Sequence, residues 1–191
     1  MQLLEDRILK DGKVFPDNIL KVDSFLNHQV DLALISQLSK EFVKLFQGSG
    51  INKILTIEAS GIVIAGFTAY AFNVPMVFAK KAQTKNISDS VYHSKVMSYT
   101  HGKVYDIVVS KEYLKETDRI LIIDDFLANG EAMQGLISLI EQSKATLVGC
   151  GAVIEKVFQG GGNSIRSRGI RVESLAKIAS MTPDSLTFSA N

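Results

Sequence analysis

Asp124 and Asp125 are the residues of this chain best placed to do chemistry. They follow four branched apolar residues, Ile120-Leu121-Ile122-Ile123, and precede Phe126-Leu127-Ala128-Asn129-Gly130-Glu131-Ala132, a short glycine-bearing turn that leads into a helical stretch. The apolar run reads as a strand buried on both faces, at the centre of a parallel sheet. The two carboxylates then stand at its carboxyl end, where open α/β sheets bind their ligands. Backbone N–H groups of Ala128, Asn129, Gly130, Glu131 and Ala132, at the start of the following helix, form a cradle for a phosphate. Carboxylates do not grip phosphate, but they accept hydrogen bonds from the hydroxyls of a sugar. Pair and cradle together predict a site for a phosphorylated sugar. Without a function, the same aspartates would simply end a strand and cap a turn. Adjacent side chains on an extended strand also point to opposite faces, unless the chain turns there.

Glu58-Ala59-Ser60-Gly61 takes the equivalent place after the apolar stretch Ile51 to Ile57. It is either an ordinary turn with Ser60 as helix cap or a second anion cradle. Two cradles at two strand ends imply a ligand with phosphate at both ends. Lys80 and Lys81 close a third strand; they are either a solvated pair or mobile positive charges suited to a departing pyrophosphate. Lys156 precedes Val157-Phe158. An ammonium beside an aromatic suits a flat, oxygen-rich ring, with Phe158 over the ring and Lys156 on a carbonyl; the alternative is a salt bridge or simple exposure. His28, His93 and His101 are widely separated and no cysteine accompanies them, so there is no zinc pattern. There is likewise no Gly-x-Gly-x-x-Gly and no Walker lysine motif.

The elements that must carry these residues follow a strand–helix alternation. A short amphipathic helix around Leu3, Leu4, Arg7 and Ile8 ends at Asp11-Gly12. Residues 13–29 read as irregular. A helix is predicted from about Val30 to Phe46, with Leu34, Leu38 and Phe42 at helical spacing and Gly48-Ser49-Gly50 as its stop. Strand 51–57, helix 62–72 and strand 74–79 then form a βαβ unit. Lys80 to Lys103 interrupts the pattern with lysines and hydroxyl-bearing residues and no clean period, which predicts a flexible lid over about 82–103. Strands 104–109 and 120–123, a helix 131–142 and a strand 146–154 follow. Gly149 and Gly151 within the last of these suggest close backbone approach or a bend. A final strand near 172–178 comes after Gly160-Gly161-Gly162 and three arginines, and the tail from Ser180 reads as loosely attached. One α/β domain over 1–191, a mostly parallel central sheet flanked by helices, accounts for the order. A small hood would come from about 1–29 plus 155–170.

Composition bounds the function. The 191 residues suffice for one complete α/β core. A net charge of +1 offers no footprint for general nucleic-acid binding. The single cysteine, Cys150, lies in an apolar run and is expected to be a reduced, buried thiol. No stretch is long enough for a membrane span, and the acidic amino terminus is unlike a signal peptide, so a cytoplasmic setting is expected.

The strand, the two acidic residues and the loop Ala128 to Ala132 resemble the fingerprint of the type I phosphoribosyltransferases. Most of the chain is similar to the xanthine-specific branch of that family, including Met1-Gln2-Leu3-Leu4, Ile123 to Gly130 and Glu155-Lys156-Val157-Phe158-Gln159. The common family loop has Thr-Gly where this chain has Asn129-Gly130; the amide cradle is unaffected. The resemblance implies a phosphoribosyl pyrophosphate donor bound with Mg2+ and a homodimeric enzyme of purine salvage. Asp124 and Asp125 would lie by the ribose hydroxyls, and residues 128–132 at the 5′-phosphate. Glu58 to Gly61 would form the pyrophosphate loop, often with a strained or cis peptide, and Lys81 would reach the pyrophosphate. The loop through Ser98-Tyr99 would close over the reaction. Leu20, Asn27 and Lys156 would recognise the base. Phosphoribosyltransferases for adenine or for hypoxanthine and guanine are rivals. So is a phosphoribosyl pyrophosphate-sensing regulator, although 29 residues are too few for a winged helix.

Overall fold

The computed structural model describes residues 1–82, 90–98 and 103–189. Its centre is an eight-stranded sheet. The strands are β3 (Lys53–Ile57), β4 (Met76–Ala82), β5 (Val91–Ser98), β6 (Lys103–Ser110), β7 (Arg119–Leu127), β8 (Thr146–Lys156), β9 (Val172–Thr182) and β10 (Ser185–Phe188), in the spatial order β10-β9-β8-β7-β3-β4-β6-β5. The five strands from β9 to β4 run parallel to their neighbours, and β10, β6 and β5 are antiparallel additions at the two edges. Helices α1 (Gln2–Asp11), α2 (Leu32–Leu45), α3 (Gly61–Phe72), α4 (Glu131–Ser143) and α5 (Gly161–Arg166) complete the main elements.

β7 is a central strand because its side chains are apolar on both faces. Leu121 and Ile123 join the core beneath α2 and α3, whereas Ile120 and Ile122 join the core beneath α4. β3 leads through α3 to β4 on one side, and β7 leads through α4 to β8 on the other. The chain therefore diverges between β3 and β7, which is a topological switch point and the place where such sheets open a crevice. α2 starts at Asp31, whose carboxylate accepts a hydrogen bond from Leu34 N at 3.1 Å. Its rings Phe42 and Phe46 lie where a Cβ on Gly151 or Gly149 would stand, 2.8 Å away in each case. Both glycines thus mark the close approach their position in the strand suggested. Cys150 between them is fully buried, and burial pushes its thiol up to about 12.

The structure departs from the sequence expectations at several points. Residues 13–29 are not irregular: Lys13–Phe15 (β1) and Ile19–Lys21 (β2) form an antiparallel hairpin, followed by a π-helical turn over Asp23–Asn27. The tail is not loose, because β10 pairs with β9 across the two-residue turn Pro183-Asp184. Within the expected lid, Val91–Ser98 is a strand pairing along its length with β6, and Val96 is buried. Gly135 of α4 has no room for a side chain, since an added Cβ would lie 2.6 Å from Val96. Gln142 Nε2 also donates to His93 O at 2.8 Å, so α4 and β5 are held together. The rest of that segment, including Tyr99 and the side chain of Ser98, lies outside the described residues.

Candidate active site

The carboxyl ends of β3, β4, β7 and β8 reach one level. Ile57 pairs with Ala79, Leu55 with Ile122, and Asp124 with Ala152. Two residues further along, β3 gives way to Glu58-Ala59-Ser60, β4 carries Lys81, and β7 passes through Asp124 and Asp125. β7 does not end at the aspartates; it continues through Leu127, so the turn beginning at Ala128 sits one step above them.

Asp124 and Asp125 are both buried. Asp124 Oδ1 accepts the backbone N–H of Asp125 at 2.9 Å. The Asp124 carboxylate also lies against the start of α3. A Cβ on Gly61 would come within 2.6 Å of Asp124 Oδ1 and would overlap Thr56 Oγ1. Gly61 is thus required by the neighbouring carboxylate and not by its own backbone angles. Burial, then the adjacent negative charge of Asp125, hold the Asp124 carboxyl well above the usual carboxylate range, with the Lys81 charge acting in the opposite direction. Lys81 Nζ lies 5.2 Å from the centre of the Tyr105 ring. Burial, and after it the nearby Asp124, raise the Tyr105 phenol as well. Asp124, Lys81 and Tyr105 therefore form one electrostatic cluster. The turn before α3 contains a cis peptide between Glu58 and Ala59. It is tied to β4 by Glu58 N donating to Ala79 O at 3.1 Å and by Lys81 N donating to Glu58 Oε1 at 2.7 Å.

The raised Asp124 value predicts a stability effect of definite sign. A carboxyl harder to ionise in the folded chain contributes fully below its unfolded pKa, and that contribution is lost as pH rises through the folded value. Asp124→Asn keeps the acceptor for Asp125 N and removes the charge. Its Tm at neutral pH is expected to exceed that of the native chain by about 2–4 °C for each kcal/mol gained. The difference should shrink on acidification, which thermal denaturation at pH 4 and pH 7.5 measures directly.

Ala128 to Ala132 line a cavity of about 210 Å³ together with Leu127, Phe126, Tyr105, Met133 and, from β5, Val96 and Met97. Gly130 caps α4 at φ 85°, and the first amides of a helix have no acceptor within it. These amides and the helix dipole give the cavity the polarity that favours an anion. Three contributors were missed from sequence. In the sequence Tyr105 counts only as a strand residue and Phe126 only as part of the turn after the aspartates. Gly160-Gly161-Gly162 was assigned to a hood, although Gly161 N donates to Ala128 O at 3.1 Å. The triple glycine was the available signal.

Lys156 ends β8 and is half-buried; burial lowers its pKa. Its Nζ donates to Asn18 O at 2.7 Å, in the β1–β2 turn where Asp17 and Asn18 hold positive φ. The ring beside it is Phe126, 5.4 Å from Nζ to the centroid. Sequence reading placed Phe158 as the aromatic partner; Phe158 is 40% exposed on the 3₁₀ turn Val157–Gln159. Leu20 is buried in β2, two residues from Asn18, and Asn27 is exposed at the end of the π-helical turn. The hairpin thus meets the end of β8 through Lys156, and Phe126 lies both beside Lys156 and in the lining of the cavity at the start of α4.

Residues 21–161 match the family model described as phosphoribosyl transferase domain. The chain is 59% identical over 184 residues to the xanthine phosphoribosyltransferase of Lachnoclostridium phytofermentans, spanning 96% of this chain and 95% of that protein. It is 54% identical over 188 residues to the xanthine phosphoribosyltransferase of Alkaliphilus metalliredigens, spanning 98% and 93%. Among solved structures it is similar to the APRTase from Giardia lamblia complexed with 9-deazaadenine. The TM-score is 0.77 over 91% of this chain and 97% of that one, at 22% identity, a likeness of fold.

Proposed function

This chain belongs to the phosphoribosyltransferase family, and from that membership we propose that it converts xanthine and 5-phosphoribosyl 1-pyrophosphate to xanthosine 5′-monophosphate and pyrophosphate. The observation that carries the assignment is Gly61, in the turn after β3, packed on the buried Asp124 carboxylate of β7, with the Ala128 to Ala132 loop four residues further along the same chain. That spacing suits a sugar bearing phosphate at both ends. The names of relatives more than 50% identical over nearly the whole chain supply the base.

In the reaction a base nitrogen forms its bond to ribose C1 as the C1–oxygen bond to pyrophosphate breaks, through an oxocarbenium-like state, and the proton displaced from that nitrogen is taken up by the departing pyrophosphate. No protein nucleophile is needed. Asp124 and Asp125 accept hydrogen bonds from the ribose hydroxyls and fix the ring. The amides of Ala128, Asn129, Gly130, Glu131 and Ala132 hold the 5′-phosphate. The Glu58, Ala59, Ser60 and Gly61 turn and Lys81 receive the pyrophosphate as its charge grows. Lys156 donates to a purine carbonyl, with Phe126 and Phe158 as apolar surface and Leu20 and Asn27 closing the hood side. The protein's work is orientation, charge stabilisation and exclusion of water, the competing nucleophile. In the same proposal the enzyme is a homodimer of the cytoplasm, where a phosphorylated sugar that does not cross membranes unaided is found.

Magnesium prefers oxygen ligands and is usually held by one or two carboxylates plus substrate phosphates. Asp124 and Asp125 offer such carboxylates, and a nearby cation would offset the burial that disfavours Asp124 ionisation. Among the described residues no three His, Cys, Asp or Glu side chains form a cage. The residues fit a Mg2+ ion carried with the donor, which when bound neutralises part of the pyrophosphate charge. A panel pairing the donor with xanthine, guanine, hypoxanthine and adenine tests the assignment. The highest kcat/KM is expected for xanthine, and a higher value for adenine would overturn it.

A further inference from the structure

The turn Gly160-Gly161-Gly162 lies backbone against backbone on the phosphate loop. Gly161 N donates to Ala128 O at 3.1 Å, and a Cβ on Gly161 would stand 2.5 Å from both Asn129 C and Gly130 N. In return, a Cβ on Gly130 would be 3.2 Å from Gly161 Cα. Behind the turn is a polar cluster built on the buried Glu155 carboxylate, with Arg166 partly exposed. Arg166 grips Glu155 with two parallel hydrogen bonds, Nη1 to Oε1 at 2.8 Å and Nη2 to Oε2 at 2.7 Å. Ser174 Oγ donates to Oε2 at 2.6 Å, and Arg166 Nη2 also reaches Val172 O at 3.3 Å. Gly162 packs directly on this pair, since a Cβ there would overlap Glu155 Oε1 and lie 2.7 Å from Arg166 Nη1. Glu155 also faces Leu127 across the β7–β8 ladder, one residue before the loop begins. The loop is therefore fixed on one side by β7 and on the other by a turn clamped to β8 and β9.

We propose that Glu155 and Arg166 are positioning residues for the phosphate loop, acting through the Gly160–Gly162 turn on the amides of Ala128 to Ala132. Neither side chain need touch substrate. The two-pronged guanidinium contact sets the direction of α5, and α5 sets where the turn presses on the loop. A cradle of backbone amides has no side-chain freedom with which to correct a displacement, so small shifts behind it are felt at the phosphate. The inference rests on the donor assignment above.

The test is donor affinity by calorimetry together with steady-state kinetics, at a temperature well below every variant's Tm. Arg166→Met keeps the stem and removes both prongs, Arg166→Lys keeps the charge without the fork, and Ser174→Ala removes one bond to Glu155. Donor Kd and donor KM are expected to rise by on the order of 10- to 100-fold for Arg166→Met. The increase should be smaller for Arg166→Lys and smallest for Ser174→Ala. Values of kcat at saturating donor, and KM for xanthine, should change much less. If Arg166→Met does not fold, the same ordering of donor KM is read from the two milder variants. Folded variants that bind the donor as tightly as the native chain, with only Tm lowered, would make the cluster purely structural and overturn the proposal. A native chain that fails to bind phosphoribosyl pyrophosphate would instead overturn the donor assignment, a result visible before any variant is made.

Discussion

Gly130→Val is expected to weaken binding of phosphoribosyl pyrophosphate by about 10- to 100-fold, because the buried turn it caps has neither the backbone freedom nor the room for a side chain. Gly130 holds φ 85°, a region that costs a β-branched residue about 1–3 kcal/mol. The space is also closed, because its Cβ would touch Gly161 Cα at 3.2 Å. Relief requires Gly130 to rotate out of the left-handed region, and that rotation turns the amides of Glu131 and Ala132 away from the cavity. The strain falls on the folded state too, so Tm should drop by about 2–4 °C per kcal/mol. Calorimetry with the donor separates the two effects, since affinity is measured on protein that is still folded. An unchanged donor Kd would remove residues 128–132 from the phosphate site.

That loop was legible because its signal is local: a buried strand, a glycine and a helix start in one unbroken stretch of sequence. β3, α3, β7, α4 and β8 were readable for the same reason, each being an apolar run or a helical period long enough to stand alone. The parts that were missed take their order from contacts with other elements. β5 carries lysine and histidine, and only Tyr92, Ser94 and Val96 alternate inward; its place is set by pairing with β6 and by the space left at Gly135. β1 and β2 are three residues each, too short for a period, and gain order by folding toward the end of β8. Pro183-Asp184 was a recognisable two-residue turn between β9 and β10, but the polar residues of β10 obscured its strand. The site followed the same rule. Asp124, Asp125, Gly61 and the loop could be named from local motifs. The clamp of Arg166 on Glu155 joins positions 11 apart whose relation exists only once β8, α5 and β9 have packed.

Lys156→Ala is expected to lower kcat/KM for xanthine by about 10- to 150-fold. A charge-assisted hydrogen bond to a purine carbonyl in a closed site is worth about 1.5–3 kcal/mol, and its loss leaves that oxygen unpaired. Donor Kd should change far less, because the phosphate and pyrophosphate cradles are built from other segments. The loss should be larger for xanthine and guanine than for adenine, which bears an amine where those bases bear the C6 carbonyl. Lys156 also holds Asn18 O and lies over Phe126, so part of any effect could come from a displaced hairpin. Lys156→Met separates stem packing from hydrogen bonding: it keeps most of the contact with Phe126 and loses both hydrogen bonds. If the base carbonyl is the target, Met and Ala variants should be equally impaired on xanthine although the Met variant, which keeps the stem packing, loses less Tm than the Ala variant. The pH dependence gives an independent check. Burial lowers the Lys156 pKa, so the ammonium, and with it kcat/KM for xanthine, should be lost at a lower pH than an ordinary lysine would give. The Lys156→Met enzyme should lack that alkaline decline. An equal loss on adenine would assign Lys156 to the sugar donor or to the hairpin, and base recognition would then fall to Leu20, Asn27 and the Phe126 face.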